Sequence, residues 1–361
     1  MVANSPYIAF ACIAFLAQLI VGGDNVKFEK VLKDGEVVEI YFYGPASWLS
    51  EPGERFDRFQ KLQCVILQCG TISDAEMRYL STCKSIEGIA TVERFESSAV
   101  SFLPGALNEL SRMTWLKSLS IYSEPLEPRE WEFLKDLHSL ESFTVEGIDE
   151  TGVSNLRSIE SLASLRLHEY KTARVPEMVS TLAGLQEFSL TQPFPSIAFD
   201  SASLKYLSKL RKLRSLTIDG IQQSGIDWIA ALERLQFLSI SINDQQVKLD
   251  RLGDLKELTS LTIVAGTLNK LDLQFLKHLR KLQFLQLLVR DNEEHHLSRT
   301  VPYDALSELT DLTIASHVDA ETLHKIAILP KLKRLSVRGF AGDCDTEITE
   351  LRRKSVELNV H

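Results

Sequence analysis

The densest set of metal-capable side chains in this chain is Asp291, Glu293, Glu294, His295 and His296, all within one short segment. Carboxylate and imidazole donors suit a borderline cation, but adjacent histidines on a loop rarely share one coordination geometry. The segment reads as a solvated loop. Glu146, His168 and Glu187 supply the carboxylates and imidazole that proton transfer needs. They are the basis of one alternative, an enzyme or enzyme subunit. Serines are abundant, yet spacing fixes no histidine beside any of them. There is no phosphate-cradling glycine loop, no dinucleotide fingerprint, no H-E-x-x-H and no nucleophile elbow. No catalytic residue, metal or cofactor is therefore assigned. Cys12, Cys64, Cys69, Cys83 and Cys344 make no paired C-x-x-C pattern. Cys69 and Cys83 flank a single connecting segment, which allows at most one bridge; free thiols are the other reading.

Side chains such as these need a scaffold, and one short phrase organises most of the chain. An apolar residue recurs at positions 0, +3 and +5, starting at Val37, Leu62, Ile86, Leu116, Leu140, Leu162, Leu185, Leu213, Leu235, Leu258, Leu282, Leu309 and Leu332. Of 39 slots, 38 are apolar and Thr91 is the exception, where composition alone would fill about 17. The phrase is therefore a repeat and not an accident of composition. In its copy from Leu235 to Ile240, Leu238 and Ile240 lie two apart and share one face of a strand, while Ser239 points to the other. One such strand cannot bury its apolar face alone. Copies stacked at about 4.8 Å make a parallel sheet with a continuous core. Parallel strands need crossovers, and the remaining residues of each repeat supply them. Asp74, Asp149 and Asp319 are candidate N-caps of crossover helices.

The strand phrase followed by a helix start, as in Ile72 to Leu80, resembles the bacterial type of leucine-rich-repeat protein over roughly residues 37 to 361. The resemblance implies an α/β solenoid: a curved right-handed superhelix with a parallel concave sheet and short helices on the convex side. It also implies a binding role, although one fold hosts many. One departure stands out. The family phrase usually carries Asn at +8, where its amide bonds the turn after the strand. Here Asn243 alone does so, and Gly70, Tyr170, Pro193, Ile221, Gly266 and Phe340 hold others of these slots. The turns must satisfy their backbone groups by other means.

The solenoid is expected over residues 37–340 as about 13 repeats. Residues 24–36 form an N-terminal cap, with a hairpin turned at Asp34-Gly35, and 341–361 a C-terminal cap with a helix from Asp345 and a strand to Val360. Residues 1–23 carry no charged side chain, and Tyr7 to Val21 is apolar but for Gln18. Three readings fit: a secretory signal peptide cut after Gly23, a signal anchor, or a buried helical cap. The first two make an exported, secreted, periplasmic or surface protein, and the third a cytoplasmic scaffold. A formal charge of −9 argues against nucleic acid as the main partner. The clusters Arg211-Lys212, Arg280-Lys281 and Arg352-Arg353-Lys354 fall in crossovers or the cap and read as solvated charge. Membrane contact is expected only through the N-terminal segment.

Positions +2, +4 and +6 point away from the core and line the concave face. At +4, eight of 13 residues are Ser or Thr, which suits a crowded sheet and equally a floor for a polar ligand. Candidate ligand-binding residues are Tyr41 and Tyr43 on the first strand, Glu146, Arg166, His168 and Glu187 in the middle, and Phe237 and Phe284 later. Arg334 and Arg338 make the last full strand locally basic. Phe194, between two prolines in a loop after a strand, is a stiff apolar projection. The reading is a non-catalytic protein that recognises a protein or glycan on this face and its bordering loops. If residues 1–23 are a cleaved signal, N-terminal sequencing of the protein from its own cells starts at Asp24. An intact Met1 on cytoplasmic protein would defeat export.

Overall fold

The computed structural model describes residues 18–22, 26–34, 36–43, 56, 59–68, 70–91, 100–191, 201–242, 247–266, 271–289 and 301–360. The chain divides into two compact units, Met1–Val175 and Pro176–His361. In the first, β1 (Gln18–Gly22), β2 (Val26–Lys33) and β3 (Glu36–Tyr43) pair antiparallel. Lys33 faces Glu36 across the turn, where Asp34 has a φ of 54°. Then follow β4 (Cys64–Gln68), β5 (Thr71–Ile72), β6 (Gly88–Thr91), β7 (Ser101–Phe102), β8 (Ser118–Ile121), β9 (Ser142–Glu146) and β10 (Ser164–His168). All but β5 and β7 extend β3 as one parallel ladder in chain order; β5 and β7 pair with each other. In the second unit β11 (Glu187–Thr191), β12 (Ser215–Ile221), β13 (Phe237–Ile242), β14 (Ser260–Ala265), β15 (Phe284–Val289), β16 (Asp311–Asp319), β17 (Arg334–Ala341) and β18 (Glu357–Val360) form a parallel ladder in chain order. Both units are α/β solenoid stacks.

The repeated phrase sets the register. Leu119 pairs with Phe143 and Phe143 with Leu165. In the second unit the row runs Phe188, Leu216, Leu238, Leu261, Leu285, Leu312, Leu335, Leu358. No +3 or +5 side chain of the thirteen phrases is more than 3% exposed. Thr91, the polar exception, is equally buried. Its Oγ1 donates to the Tyr122 carbonyl at 3.0 Å and accepts from the Tyr122 N–H at 2.7 Å. The hydroxyl continues the ladder beyond the last paired residues of β6 and β8, Ala90 and Ser120.

The crossovers complete the core with a second row. Leu249, Leu252, Leu255 and Leu258 are buried at intervals of three, as are Leu273, Leu276, Leu279 and Leu282. Three is the period of the 3-10 helix, and both stretches form one, at Asp250–Asp254 and Gln274–His278. Three crossovers with a side-chain cap wind instead as α-helices: α1 (Asp74–Thr82), α2 (Glu150–Asn155) and, further on, Ala320–Ala327. Asp149 accepts from the Gly152 N–H and Asp319 from the Thr322 N–H, both at 2.9 Å. The cap of α1 is Ser73 and not the expected Asp74. Ser73 Oγ accepts from the Ala75 N–H, and Glu76 reaches back to the Ser73 N–H at 2.7 Å, which closes a capping box. The remaining α-helices are α3 (Val175–Val179), α4 (Gln223–Ile229), α5, which is the Ala320–Ala327 helix, and α6 (Asp345–Arg353).

Three of the turns without Asn at +8 use a left-handed residue one position earlier. Gly147, Glu169 and Gly220 all stand at +7, with φ of 72°, 51° and 73°. Each swings the next side chain inward, so that Ile148, Tyr170 and Ile221 are buried. Backbone groups past the kink find partners on the adjacent repeat. The Lys171 N–H donates to the Ile148 carbonyl at 2.9 Å, and Ile221 pairs with Ile242 beyond a bulge. Asn243 lies outside the described residues.

Two substitutions on one strand separate its faces. Leu261→Ala is expected to cost about 3 kcal/mol in urea unfolding, and Thr262→Ala about 0.5 kcal/mol or less. Equal losses would show that Leu261 is not an interior residue.

Candidate functional site

Side chains at +2, +4 and +6 stand on the open face of each ladder, opposite the buried rows. Pairing residue with residue turns each position into a row. In the first unit the +4 row is Tyr41, Ile66, Ala90, Ser120, Thr144, Arg166. In the second it is Ser189, Thr217, Ser239, Thr262, Gln286, Thr313, Ser336. The Thr262 hydroxyl donates to Gln286 Oε1 at 3.2 Å, so the row is partly bonded along its length.

The first strands of the open face are covered. Ile66 is 3% and Ala90 6% exposed although both point away from the core. Tyr41 and Tyr43 on β3 are half-buried. Burial, then the hydrogen bond with Glu39, pushes the Tyr41 hydroxyl above its ordinary range. Cys64, which faces Glu39 on one side and Gly88 on the other, is also half-buried. A Cβ at Gly88 would lie 3.3 Å from the Cys64 sulfur, so glycine makes room for the thiol. Burial, then the Glu39 carboxylate, pushes that thiol up to about 12. Cys64, Cys83 and Cys344 are free thiols; Cys69 lies outside the described residues.

The structure brings Glu146, Arg166 and His168 together. Glu146 and His168 face each other across β9 and β10, and Arg166 faces Thr144 on the same strand pair. A fourth member was not singled out from sequence. The Tyr122 and His168 rings stand 5.7 Å apart, centroid to centroid. The signal was present, because Tyr122, Glu146 and His168 all occupy +6. Glu187 belongs to the second unit, on β11, where it faces Ser215.

In the second unit Phe237, Ser260 and Phe284 follow one another in the +2 row. Phe237 is 43% exposed and Phe284 half-buried. The row then turns charged. Asp311 faces Phe284 and pairs with Arg334, and Thr310 Oγ1 holds the other Asp311 oxygen at 2.6 Å. The basic character expected of β17 is thus met by a carboxylate on β16, which sequence reading overlooked. Arg338, also on β17, is half-buried. His317 is another addition. It faces Gly339, and a Cβ there would lie 2.7 Å from the imidazole Cδ2, so bare backbone seats the ring. Phe194 and the segment from Asp291 to His296 lie outside the described residues.

Residues 133–358, more than half of the chain, match the sequence profile of a leucine-rich repeat region. No curated protein matches the chain. Among solved structures, the internalin InlF of Listeria monocytogenes is similar with a TM-score of 0.51 at 19% identity, over 84% of this chain and 81% of that one. A chain of the mouse RP105/MD-1 complex gives a TM-score of 0.50 at 17% identity, over 87% of this chain and 61% of that one. At such identities the likeness shows the fold.

The raised thiol gives a local test of the open face. A thiol held protonated is a poor nucleophile. At about pH 8, alkylation of Cys64 in the folded chain is expected to be slower than in the urea-unfolded chain by about a hundredfold. It accelerates as pH rises toward 12. Equal rates, read by mass spectrometry of the Cys64 peptide, would contradict the burial of that thiol.

Proposed function

The chain belongs to the leucine-rich-repeat family, and on that premise we propose that it is a binding protein, recognising a protein or glycan on the open face of its parallel strands. The observation that carries the reading is the +2 row of the second unit. Phe237, 43% exposed, and Phe284 stand two strands apart on a ladder whose register is locked by the buried leucines beneath. Exposed aromatics on rigid elements are the usual anchors of an interface, and rigidity lowers the ordering cost of binding. Ser239, Thr262 and Gln286 run alongside as hydrogen-bonding neighbours. The mouse structure of this fold is that of a complex, RP105/MD-1. The group around Glu146, Arg166 and His168 forms a second, polar contact zone in the first unit. Residues 1–23 are read as a targeting segment, which puts this work outside the cytoplasm; a cut after Gly23 would also remove β1 (Gln18–Gly22) from its pairing with β2. No helix among the described residues is long and apolar enough to cross a membrane.

The test is affinity capture on the immobilised chain, followed by titration of the retained partner. Phe237→Ala and Phe284→Ala are each expected to weaken binding by about 2 kcal/mol, or about thirtyfold. Lys277→Ala, on the crossover side, leaves it unchanged. A partner held equally well by the double aromatic variant would remove the open face from the account.

A further inference from the structure

The crossovers leading into β12 and β13 carry a charge pattern unlike the rest of the chain. At position −1 of the repeat, neighbouring charges elsewhere are complementary: Glu36 with Lys61 at 3.7 Å, Glu257 with Lys281 at 2.6 Å and Glu308 with Lys331 at 2.7 Å. At β12 and β13 the same two slots hold Lys212 and Arg234, like charges side by side. The next acid in that row, Glu257, is taken by Lys281. Lys205, Lys209, Arg211 and Arg214 adjoin them, and all six cations are exposed. Among the described residues none of the six pairs with a carboxylate. Among the described residues, the carboxylates within the same two crossovers are Asp227 and Glu233; Asp200, also in the first crossover, lies outside the described residues. Within a chain of net charge −9, this is a concentrated positive surface.

Aromatic rings accompany it. Leu204, Leu207, Leu210 and Leu213 are buried at the same offsets as Ile226, Ile229, Leu232 and Leu235 on the next crossover. Tyr206 and Trp228 therefore occupy one slot on neighbouring repeats. The Lys205 and Lys209 ammoniums lie 5.1 and 5.6 Å from the Tyr206 ring centroid. Trp228 is 40% exposed and is among the most exposed large apolar side chains described.

We propose that this crossover face of the second unit docks on an anionic lipid surface. Cations near such a surface are attracted one by one, and an indole settles at the headgroup level. The arrangement favours lipid over a rigid polyanion. The cations are strung from Lys205 to Arg214 along one crossover, with Arg234 on the next, and do not gather around one point. The depression between the two turns, about 370 Å³ and lined by Arg211, Glu233 and Arg234, is open. Mobile headgroups adjust to such a spread, whereas a stiff polymer of fixed charge spacing does not. Docking by the crossovers leaves the open face of the strands uncovered for its ligand.

The experiment is co-sedimentation of the full chain with vesicles of phosphatidylcholine containing about one-third phosphatidylglycerol, at low and high salt. Binding is expected at low salt, to weaken as salt rises, and to be absent on pure phosphatidylcholine. Each cation removed is expected to weaken it about fivefold, so R211Q/K212Q/R234Q loses about a hundredfold. The control R352Q/R353Q, in another exposed basic cluster, keeps wild-type binding. A blue shift of tryptophan emission on binding is expected in the parent chain and lost in W228F. Unchanged binding by the triple variant, equal binding to neutral vesicles, or retention on a sulfated polysaccharide with no vesicle binding would each overturn the proposal.

Discussion

Each strand here owns a row of apolar side chains that its own repeat cannot cover. Leu261 and Ile263 become buried because Leu238 and Ile240 flank them on one side and Leu285 and Leu287 on the other. Register is the consequence. A slip of one residue would turn every leucine of a strand to the open face and every serine inward. The same constraint explains why Thr91 is tolerated inside. Its hydroxyl meets both backbone groups of Tyr122, so no polar atom there is left without a partner. Rows on the open face inherit their order from the buried rows beneath them.

Much of this was legible in the amino-acid sequence, because period two within the phrase and a recurring interval between phrases have few structural solutions. Asp149 and Asp319 read correctly as caps, since a carboxylate ahead of an apolar pair has one obvious use. Asp74 misled by one position. Ser73 does the same work, and only the reach of Glu76 back to its N–H distinguishes the two. The turns were not legible from the side expected. Attention to Asn at +8 passed over +7, where Gly147 and Gly220 share a left-handed backbone and Glu169 adopts it without being glycine. The interval of three in Leu249 to Leu258 was visible too, but it also runs through the α4 crossover in Ile226, Ile229, Leu232 and Leu235, so the spacing marks the buried row without choosing between the 3-10 and the α-helix.

The open face was harder to read, because pointing outward and being accessible are different properties. Ile66 and Ala90 point outward and are buried, while Phe237 points outward and stays exposed. Strand alternation determines the first property; coverage by neighbouring segments determines the second, and alternation carries no information about coverage. Charge was misjudged for a related reason. Arg334 looked basic in its own repeat, but its partner Asp311 sits 23 residues earlier in sequence and one strand away in space. Tyr122 joined His168 across an intervening strand in the same way. Interactions along a row connect residues separated by one or two repeat lengths, so they emerge only when copies are superposed.

The one-to-one pairing of β11 through β18 has an evolutionary corollary. Since each strand answers only to its two neighbours, a substitution at Phe237, Thr262 or His317 alters one tile of the mosaic and leaves the masonry intact. Specificity can drift tile by tile, without the molecule passing through an unfolded ancestor.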